Sequence, residues 1–215
     1  MGYLHIDNLY KDTTMLLFRE CYALEKIHGT SAHVTYKPDY TPRVTFFAGG
    51  ASHELFMALF DVAALEAAFT ATIGEAPAIV YGEAYGGSCQ KMKATYGNKL
   101  QFIAFDVQIN EHWLSVPDAE QVAQALGVPF VAYRRVECNV PALDAERDAP
   151  SVQAERNGMG QHPREGIVIR PFVEMLRNDG KRIIAKHKAE AFAEREHTPT
   201  PVEGAQWEIQ RGAEA

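Results

Sequence analysis

The sequence predicts one α+β domain built on antiparallel sheets. The chain has 215 residues, of which 47% are hydrophobic and 23% charged, so it has enough apolar material for a single compact core. Short extended runs rich in β-branched and aromatic residues are separated by glycine-containing turns. The few helical segments do not alternate strictly with these runs, which favours antiparallel over parallel sheets.

The first strands are predicted within residues 22–36, on either side of a break at His28-Gly29. After the break, polar and apolar residues alternate, as in a strand with one solvated face. Lys26 is therefore expected at a strand end. Residues 43–48 indicate a third strand, and Ser52 can cap a helix that runs to about Thr72.

The middle of the chain continues this mixture. Residues 77–83 and 100–109 are apolar runs typical of buried strands, and both deliver polar residues at their C-terminal ends. Residues 117–126 indicate a short helix and residues 130–136 a strand. Residues 141–157 indicate one or two helical turns, interrupted by Pro150.

The last elements are a buried strand over residues 166–170 and a hairpin over residues 172–188. The hairpin is predicted because Asn178-Asp179-Gly180 favours a tight turn with positive φ. Side chains two apart on a strand point the same way. Lys186 and Lys188 should therefore share one face, with His187 on the other. A helix over residues 190–196 would follow.

Charge and cysteine content limit the class of protein. A formal net charge of -7 disfavours a protein that coats nucleic acid nonspecifically, although residues 86–99 and 170–188 are locally basic. No long apolar run or secretory signal is evident, so we expect a soluble, cytoplasmic protein with no membrane partner. Cys21, Cys89 and Cys138 are widely spaced, and we expect reduced thiols rather than disulfides or a zinc site.

The most informative segment is Glu25-Lys26-Ile27-His28-Gly29-Thr30. A lysine at a strand end, followed by a glycine turn, can expose its amine to a ligand that the backbone approaches closely. Lys-x-x-Gly alone is common by chance, but further segments follow it in order. They are Tyr81-Gly82-Glu83, Phe102-Ile103-Ala104-Phe105-Asp106, Glu165-Gly166-Ile167-Val168-Ile169-Arg170 and Lys186-His187-Lys188. Together they resemble the covalent nucleotidyltransferases, the superfamily of polynucleotide ligases and mRNA capping enzymes.

Within that superfamily the chain resembles the ATP-dependent RNA ligases of the nick-sealing, phage-type family, because DNA ligases usually have Asp where His28 stands. The resemblance implies an antiparallel-sheet nucleotidyltransferase domain (ATP-grasp-like ligase catalytic domain) over residues 1–188. RNA ligases of this family usually add a C-terminal domain that engages the nucleic acid, so residues 189–215 would form a C-terminal tail that is the start of such a domain.

The resemblance also implies roles for individual residues. Lys26 would attack ATP and carry AMP as a lysyl phosphoramidate. Phe105 would stack on adenine, Glu83 would bind the ribose, and Glu165 would serve both the nucleotide and a divalent metal, Mg²⁺ or Mn²⁺. The nucleotide contacts as a whole are expected from Glu25, Lys26, Ile27, Gly29, Glu83, Phe105, Glu165, Lys186 and Lys188. The two lysines of the last strand would contact the α-phosphate.

The implied reaction transfers AMP to the 5′-phosphate of RNA, and a 3′-hydroxyl then displaces it, as at the nick of a duplex. A small DNA ligase is one alternative, because it would share every nucleotide contact; a nucleotide-binding adaptor without catalysis is another. Two features depart from the family pattern. Ser31 stands where the phage relatives carry Asn, and the arginine of the sugar-binding segment is absent near residues 46–50, with Arg43 and His53 as candidates to replace it. The sequence does not indicate an oligomeric state.

Overall fold

The computed structural model describes residues 2–192 of the chain. Within that range two antiparallel sheets are covered by short helices, which confirms the predicted α+β class. The strands are β1 (Glu20–Lys26), β2 (Thr30–Tyr36), β3 (Val44–Ala48), β4 (Ala78–Gly86), β5 (Leu100–Ile109), β6 (His112–Trp113), β7 (Tyr133–Glu137), β8 (Gly166–Arg170) and β9 (Ala185–Lys188). The α-helices of this range are α1 (His53–Met57), α2 (Val62–Thr72), α3 (Lys93–Tyr96), α4 (Val116–Ala125), α5 (Val140–Arg147) and α6 (Val152–Arg156).

The strands of residues 2–192 pair in two sheets, with orders β7-β1-β8-β9 and β3-β2-β4-β5-β6. β1 ends at Lys26 in the first sheet, and β2 begins at Thr30 in the second. The short connection between them therefore carries the chain from one sheet to the other. A side chain at the end of β1 lies where the two sheets meet.

Alternation along the strands separates the core from the space between the sheets. The larger core packs α1, α2 and α4 against the five-stranded sheet and includes Val34, Phe69 and Val80. A smaller core, which includes Cys21 and Ile167, lies against the four-stranded sheet. Each fully buried side chain of this size contributes about 1.5–3 kcal/mol. The residues between these core positions point to the opposite face of each sheet.

The helix predicted over residues 52–72 is in fact two helices. Ser52 caps α1 as expected, with its Oγ accepting from the Leu55 amide. The chain then breaks, and Asp61 caps α2 by accepting from the Ala64 amide at 3.1 Å. The prediction was wrong because an internal Asp can serve as a new N-cap, and hydrophobic spacing does not reveal this.

The predicted hairpin forms next to its turn, where the Ile183 amide donates to the carbonyl of Met175 at 3.0 Å, but its second arm then leaves the first. Gly180 has a φ of +81°, and Leu176 bridges to Arg182, so a tight turn forms where it was expected. The strand that follows, β9, pairs with β8 instead of with the arm before the turn. Glu174 in that arm binds the guanidinium of Arg182, and the arm stays irregular.

The segment at the start of the described range lies along β9, and a short 3₁₀ turn follows β9 at its end. The Leu9 amide donates to the carbonyl of Lys186 at 2.8 Å, and the Lys186 amide donates to the carbonyl of Asp7 at 2.9 Å. The segment before β1 therefore runs along the edge of β9. Of the helix predicted over residues 190–196, Glu190–Phe192 form a 3₁₀ turn. The rest of the predicted tail, residues 193–215, lies outside the described residues. Within residues 2–192, no helix is long and apolar enough to cross a membrane.

Candidate active site

A cavity of about 330 Å³ lies between the two sheets. Its walls come from both sheets and from the first residues of the chain. The lining residues predicted to bind nucleotide are Glu25, Lys26, Ile27, Glu83 and Phe105. Tyr3, Ser31, Val168 and Arg170 also line it, although no role was predicted for them. The fold thus gathers five of the nine predicted contacts at one cavity.

Lys26 is held in a compact charge cluster at this cavity. Its Nζ donates to Oε2 of Glu165 at 3.0 Å. The same carboxylate is 3.1 Å from Nδ1 of His28 and 3.3 Å from Nζ of Lys188. Glu165 is only 3% exposed, so these pairs are shielded from solvent and stronger than surface ion pairs. The cluster brings three of the predicted motifs into direct contact.

The two carboxylates of the site have opposite pKa shifts. Burial by itself would raise the pKa of Glu165, but the hydrogen bond with His28 and the charge of Lys26 lower it to about 2. Glu83 is partly buried, and desolvation raises its pKa to about 7, against the attraction of Lys26 and with the help of the Glu165 charge. Glu165 is therefore anionic at neutral pH, while Glu83 is close to its midpoint.

Gly29 is required by a close approach between strands. Its amide donates to Oε1 of Glu83 at 3.1 Å. A Cβ atom at this position would lie 2.3 Å from the carbonyl oxygen of Ala84, a contact that real side chains do not make. The glycine of Lys-x-x-Gly therefore lets the connection after β1 pass against β4 and bind Glu83. Ser31 pairs with Glu83 in the register of β2 and β4, so both side chains lie on the cavity face.

Glu25 lines the cavity, but hydrogen bonds to Ser151 and to the first residues of α6 occupy its carboxylate. It accepts from the Ser151 hydroxyl at 2.5 Å and from the amides of Val152 and Gln153 at 3.0 and 3.2 Å. These are the first amides of α6, so Glu25 neutralises the N-terminal end of that short helix. Burial raises the pKa of Glu25.

Phe105 lies at the apolar part of the cavity, where Val168 of β8 also contributes. Arg170, at the end of β8, is 1% exposed and pairs with Asp106 at 3.0 Å. Its guanidinium also donates to the carbonyl of Leu114 at 2.6 Å. Arg170 follows directly on the apolar run Ile167-Val168-Ile169, and a charged residue in that place was the sequence signal that could have identified it. Tyr3 stands before every recognised segment, and no sequence pattern distinguished it.

The two lysines of β9 share a face, as predicted. Lys186 pairs with Val168 and Lys188 with Gly166 in the register of β8 and β9, and cross-strand partners lie on the same face of a sheet. Since Val168 lines the cavity, both lysines belong to the cavity side. His187 is 1% exposed on the other side, where its ring is 2.7 Å from Asp144 of α5.

The two departures from the family pattern are Ser31 and the missing sugar-binding arginine, and Ser31 lines the cavity. Neither Arg43 nor His53 is among the residues that line the cavity. Arg43 lies 3.7 Å from Glu66 on the outer surface. Phe47 lines the cavity instead, and its ring stacks on that of His33 with 4.9 Å between the ring centroids. Within residues 2–192, the Ser31 hydroxyl and Nδ1 of His33 are buried without a hydrogen-bond partner.

The residues at the cavity include oxygen ligands but no complete protein metal site. Within the described part of the chain, no group of three or more His, Cys, Asp or Glu side chains could hold a metal ion. The charge of Glu165 nevertheless contributes to the raised pKa of Glu83, so the two carboxylates lie near each other. Mg²⁺ is usually bound by one or two carboxylates together with substrate phosphates and water. The carboxylates present fit that mode.

Comparison with known proteins agrees with this geometry. Solved structures of Naegleria gruberi RNA ligase, determined as variants with AMP and manganese or with ATP and manganese and also with pyrophosphate, match with TM-scores of 0.64 and 16% identity. The match covers 89% of this chain and 57% of that one, so the chain spans little more than half the length of those structures. A search of curated proteins finds no match. Residues 19–188 match the family model described as RNA ligase, and the chain therefore belongs to the RNA ligase family.

Proposed function

We propose that this chain is the adenylyltransferase domain of an ATP-dependent RNA ligase and that Lys26 is its nucleophile. One observation carries the proposal. Lys26, at the end of β1, donates to the buried carboxylate of Glu165 and lines a cavity, and Phe105 and Val168 line another part of the same cavity. An amine, a charged cluster and an apolar aromatic wall in one cavity suit the phosphates and the base of ATP. The ATP- and AMP-bound relatives support the choice of nucleotide.

The first step is nucleophilic attack by the neutral amine of Lys26 on the α-phosphorus of ATP. A nitrogen–phosphorus bond forms and the attacking nitrogen releases one proton to solvent, while the bond from the α-phosphorus to the bridging oxygen breaks and pyrophosphate leaves with that electron pair. Glu165 holds the Lys26 amine in place before attack. Lys186 and Lys188 supply positive charge on the cavity side of β9, where negative charge increases in the transition state.

The nucleotide is held, in this proposal, by groups at each part of the cavity. Phe105 stacks on the adenine, with Val168 on the neighbouring wall, and Glu83 accepts a hydrogen bond from the ribose. Glu165 and Glu83 are the residues that would hold Mg²⁺ or Mn²⁺, which when bound neutralises charge on the phosphates. The manganese in the structures of Naegleria gruberi RNA ligase supports the choice of a divalent metal.

In the remaining steps AMP passes to the 5′-phosphate of an RNA end, and a 3′-hydroxyl displaces AMP to seal the strand. RNA is the proposed substrate because the family match is to RNA ligases. A cytoplasmic location is proposed with it. The three cysteines are buried free thiols, which suits a reducing compartment.

The test is intact-mass measurement after incubation with ATP and magnesium, followed by peptide mapping. The wild-type protein should gain one AMP on Lys26, and Lys26→Ala should gain none. Lys11→Ala is a suitable control, because Lys11 lies on the exposed segment before β1. Absence of the adduct from the wild-type protein, or its position on another lysine, would refute the proposal.

A second measurement addresses the substrate. Nicked duplexes with either ribose or deoxyribose at the 3′-hydroxyl side of the nick should be sealed at different rates, because only the former carries a 2′-hydroxyl. Faster sealing of the ribose nick is expected. A preference for the deoxyribose nick would indicate a DNA ligase instead.

A further inference from the structure

The first residues of the chain belong to the cavity, although they precede the family match. That match begins at residue 19. Gly2, Tyr3 and Leu4 nevertheless line the same cavity as Lys26 and Phe105. None of the recognised motifs includes them, so their position has to be explained from their contacts.

Tyr3 is anchored to buried charge directly beside Phe105. Its hydroxyl donates to Oδ2 of Asp106 at 2.6 Å and accepts from Nη1 of Arg182 at 2.9 Å. Asp106 has no exposed surface, and it also pairs with Arg170 at 3.0 Å and with Arg182 at 2.6 Å. The phenol is thus tied directly to the residue that follows Phe105 in β5 and to Arg182 in the turn before β9.

The ring of Tyr3 fixes the aromatic wall of the cavity. Its centroid is 4.8 Å from that of Phe105, with the ring planes at 76°. The ring centroids of Tyr81 and Trp113 lie 5.1 and 5.7 Å from that of Tyr3. A nearly perpendicular neighbour at this distance restrains rotation of the Phe105 ring. The Phe105 ring therefore packs edge to face against a residue far from it in sequence.

We propose that Tyr3 is a positioning residue of the base subsite: with Gly2 and Leu4 it forms one wall and keeps the Phe105 ring in the plane that stacks on adenine. This inference rests on the proposed function, which assigns adenine to Phe105. It extends the nucleotide site to a segment outside the family match. The competing explanation is that Tyr3 only fills space in the fold, and the two explanations differ in which ligands lose affinity.

The experiment compares two ligands, of which only one contains a base. AMP contains the adenine, and pyrophosphate contains only phosphate; neither can adenylylate the protein. Dissociation constants for both are measured by calorimetry on the wild-type protein and on Tyr3→Ala, Tyr3→Leu and Tyr3→Phe. Tyr40→Ala is the matched control, since Tyr40 is exposed and its ring contacts Lys37 instead of the cavity. Circular dichroism establishes that each variant is folded.

The expected result is a rise of about tenfold in the dissociation constant for AMP in Tyr3→Ala and Tyr3→Leu, which is a partial loss of base stacking. Pyrophosphate affinity should stay within about twofold. Tyr3→Phe keeps the ring and should remain within about threefold of wild type for AMP, and Tyr40→Ala should match wild type. Tyr3→Leu, which retains a buried apolar side chain, decides the matter if Tyr3→Ala does not fold.

The inference is overturned by folded Tyr3 variants with wild-type AMP affinity, by equal losses for AMP and pyrophosphate, or by unfolding of both the Ala and Leu variants. Its failure differs from failure of the proposed function. A wild-type protein that binds AMP but forms no adduct on Lys26 refutes the function, and the Tyr3 comparison still stands. A wild-type protein that binds no AMP overturns both.

Discussion

At the scale of single residues, the site contains a buried carboxylate, Glu165, and a partly buried one, Glu83, in different charge states. Glu165 contacts three cationic groups, from Lys26, His28 and Lys188, and its pKa falls to about 2 although burial opposes this. Glu83 has an amide donor from Gly29 and no comparable cation contact among the described residues, so burial raises its pKa to about 7. The surroundings of each carboxylate decide its charge.

Glu83→Gln should increase stability in a pH-dependent way. A carboxylate whose folded pKa is raised contributes stability below its unfolded pKa, near 4.5, and loses it as pH rises through about 7. Replacing it with Gln removes that loss, so the variant should gain free energy of unfolding relative to wild type between pH 5 and pH 8, by about 1–3 kcal/mol. Urea unfolding at the two pH values measures this. An equal difference at both would contradict the raised pKa.

At the scale of elements, alternation along β9 places its two lysines on the cavity side and His187 on the opposite side. Lys188 reaches Glu165 on the cavity side, at 3.3 Å. His187, between the two lysines, contacts Asp144 and Arg147 of α5 on the other side, at 2.7 and 2.9 Å. Pairing with β8 and with the segment before β1 holds this strand in register. The period of two makes the roles of adjacent residues opposite.

Lys186→Ala and Lys188→Ala should each slow adenylylation of Lys26 by about 10²–10³-fold, because the transition state loses a preorganised positive charge. His187→Ala should keep the rate within a few-fold and instead lower stability by about 1–3 kcal/mol, because Asp144 loses a buried partner. Rates of AMP incorporation and urea unfolding separate the two effects. A folded His187→Ala as slow as the lysine variants would show that the strand faces have been assigned wrongly.

At the scale of the whole molecule, a buried ion cluster ties distant segments together. Asp106 at the end of the motif in β5 binds Arg170 from β8 and Arg182 from the turn before β9. Both arginines also bind Glu174. Arg182 lies over the ring of Trp113 at 4.0 Å. The cluster therefore joins the two sheets behind the aromatic wall of the cavity.

Asp106→Asn should destabilise the protein by about 3–5 kcal/mol, because it leaves two buried guanidinium groups with too little negative charge. The comparison is Glu20→Gln, which breaks an ion pair with Arg135 on the exposed surface and should leave the urea midpoint unchanged. Similar midpoints for Asp106→Asn and wild type would mean that the cluster does not hold the sheets together.

Much of the fold and part of the site were predictable from local patterns. The positions of Lys26 at a strand end and of β5 and β8 follow from hydrophobic runs and glycine breaks, and the structure has strands there. The split of one predicted helix at Asp61 was missed because hydrophobic spacing does not reveal a local N-cap. The partner of β9 was missed because strand pairing depends on contacts between segments that are separated in the chain.

The sequence by itself determined the fold class, the family resemblance and the face shared by Lys186 and Lys188, since each depends on residue type and spacing within one segment. The tertiary structure alone decided which carboxylate Lys26 contacts, that the Glu25 carboxylate caps α6 and that Tyr3 reaches the cavity. Those contacts join residues between about 100 and 140 positions apart. Burial and charge at such contacts set the two pKa shifts, and no local pattern encodes them.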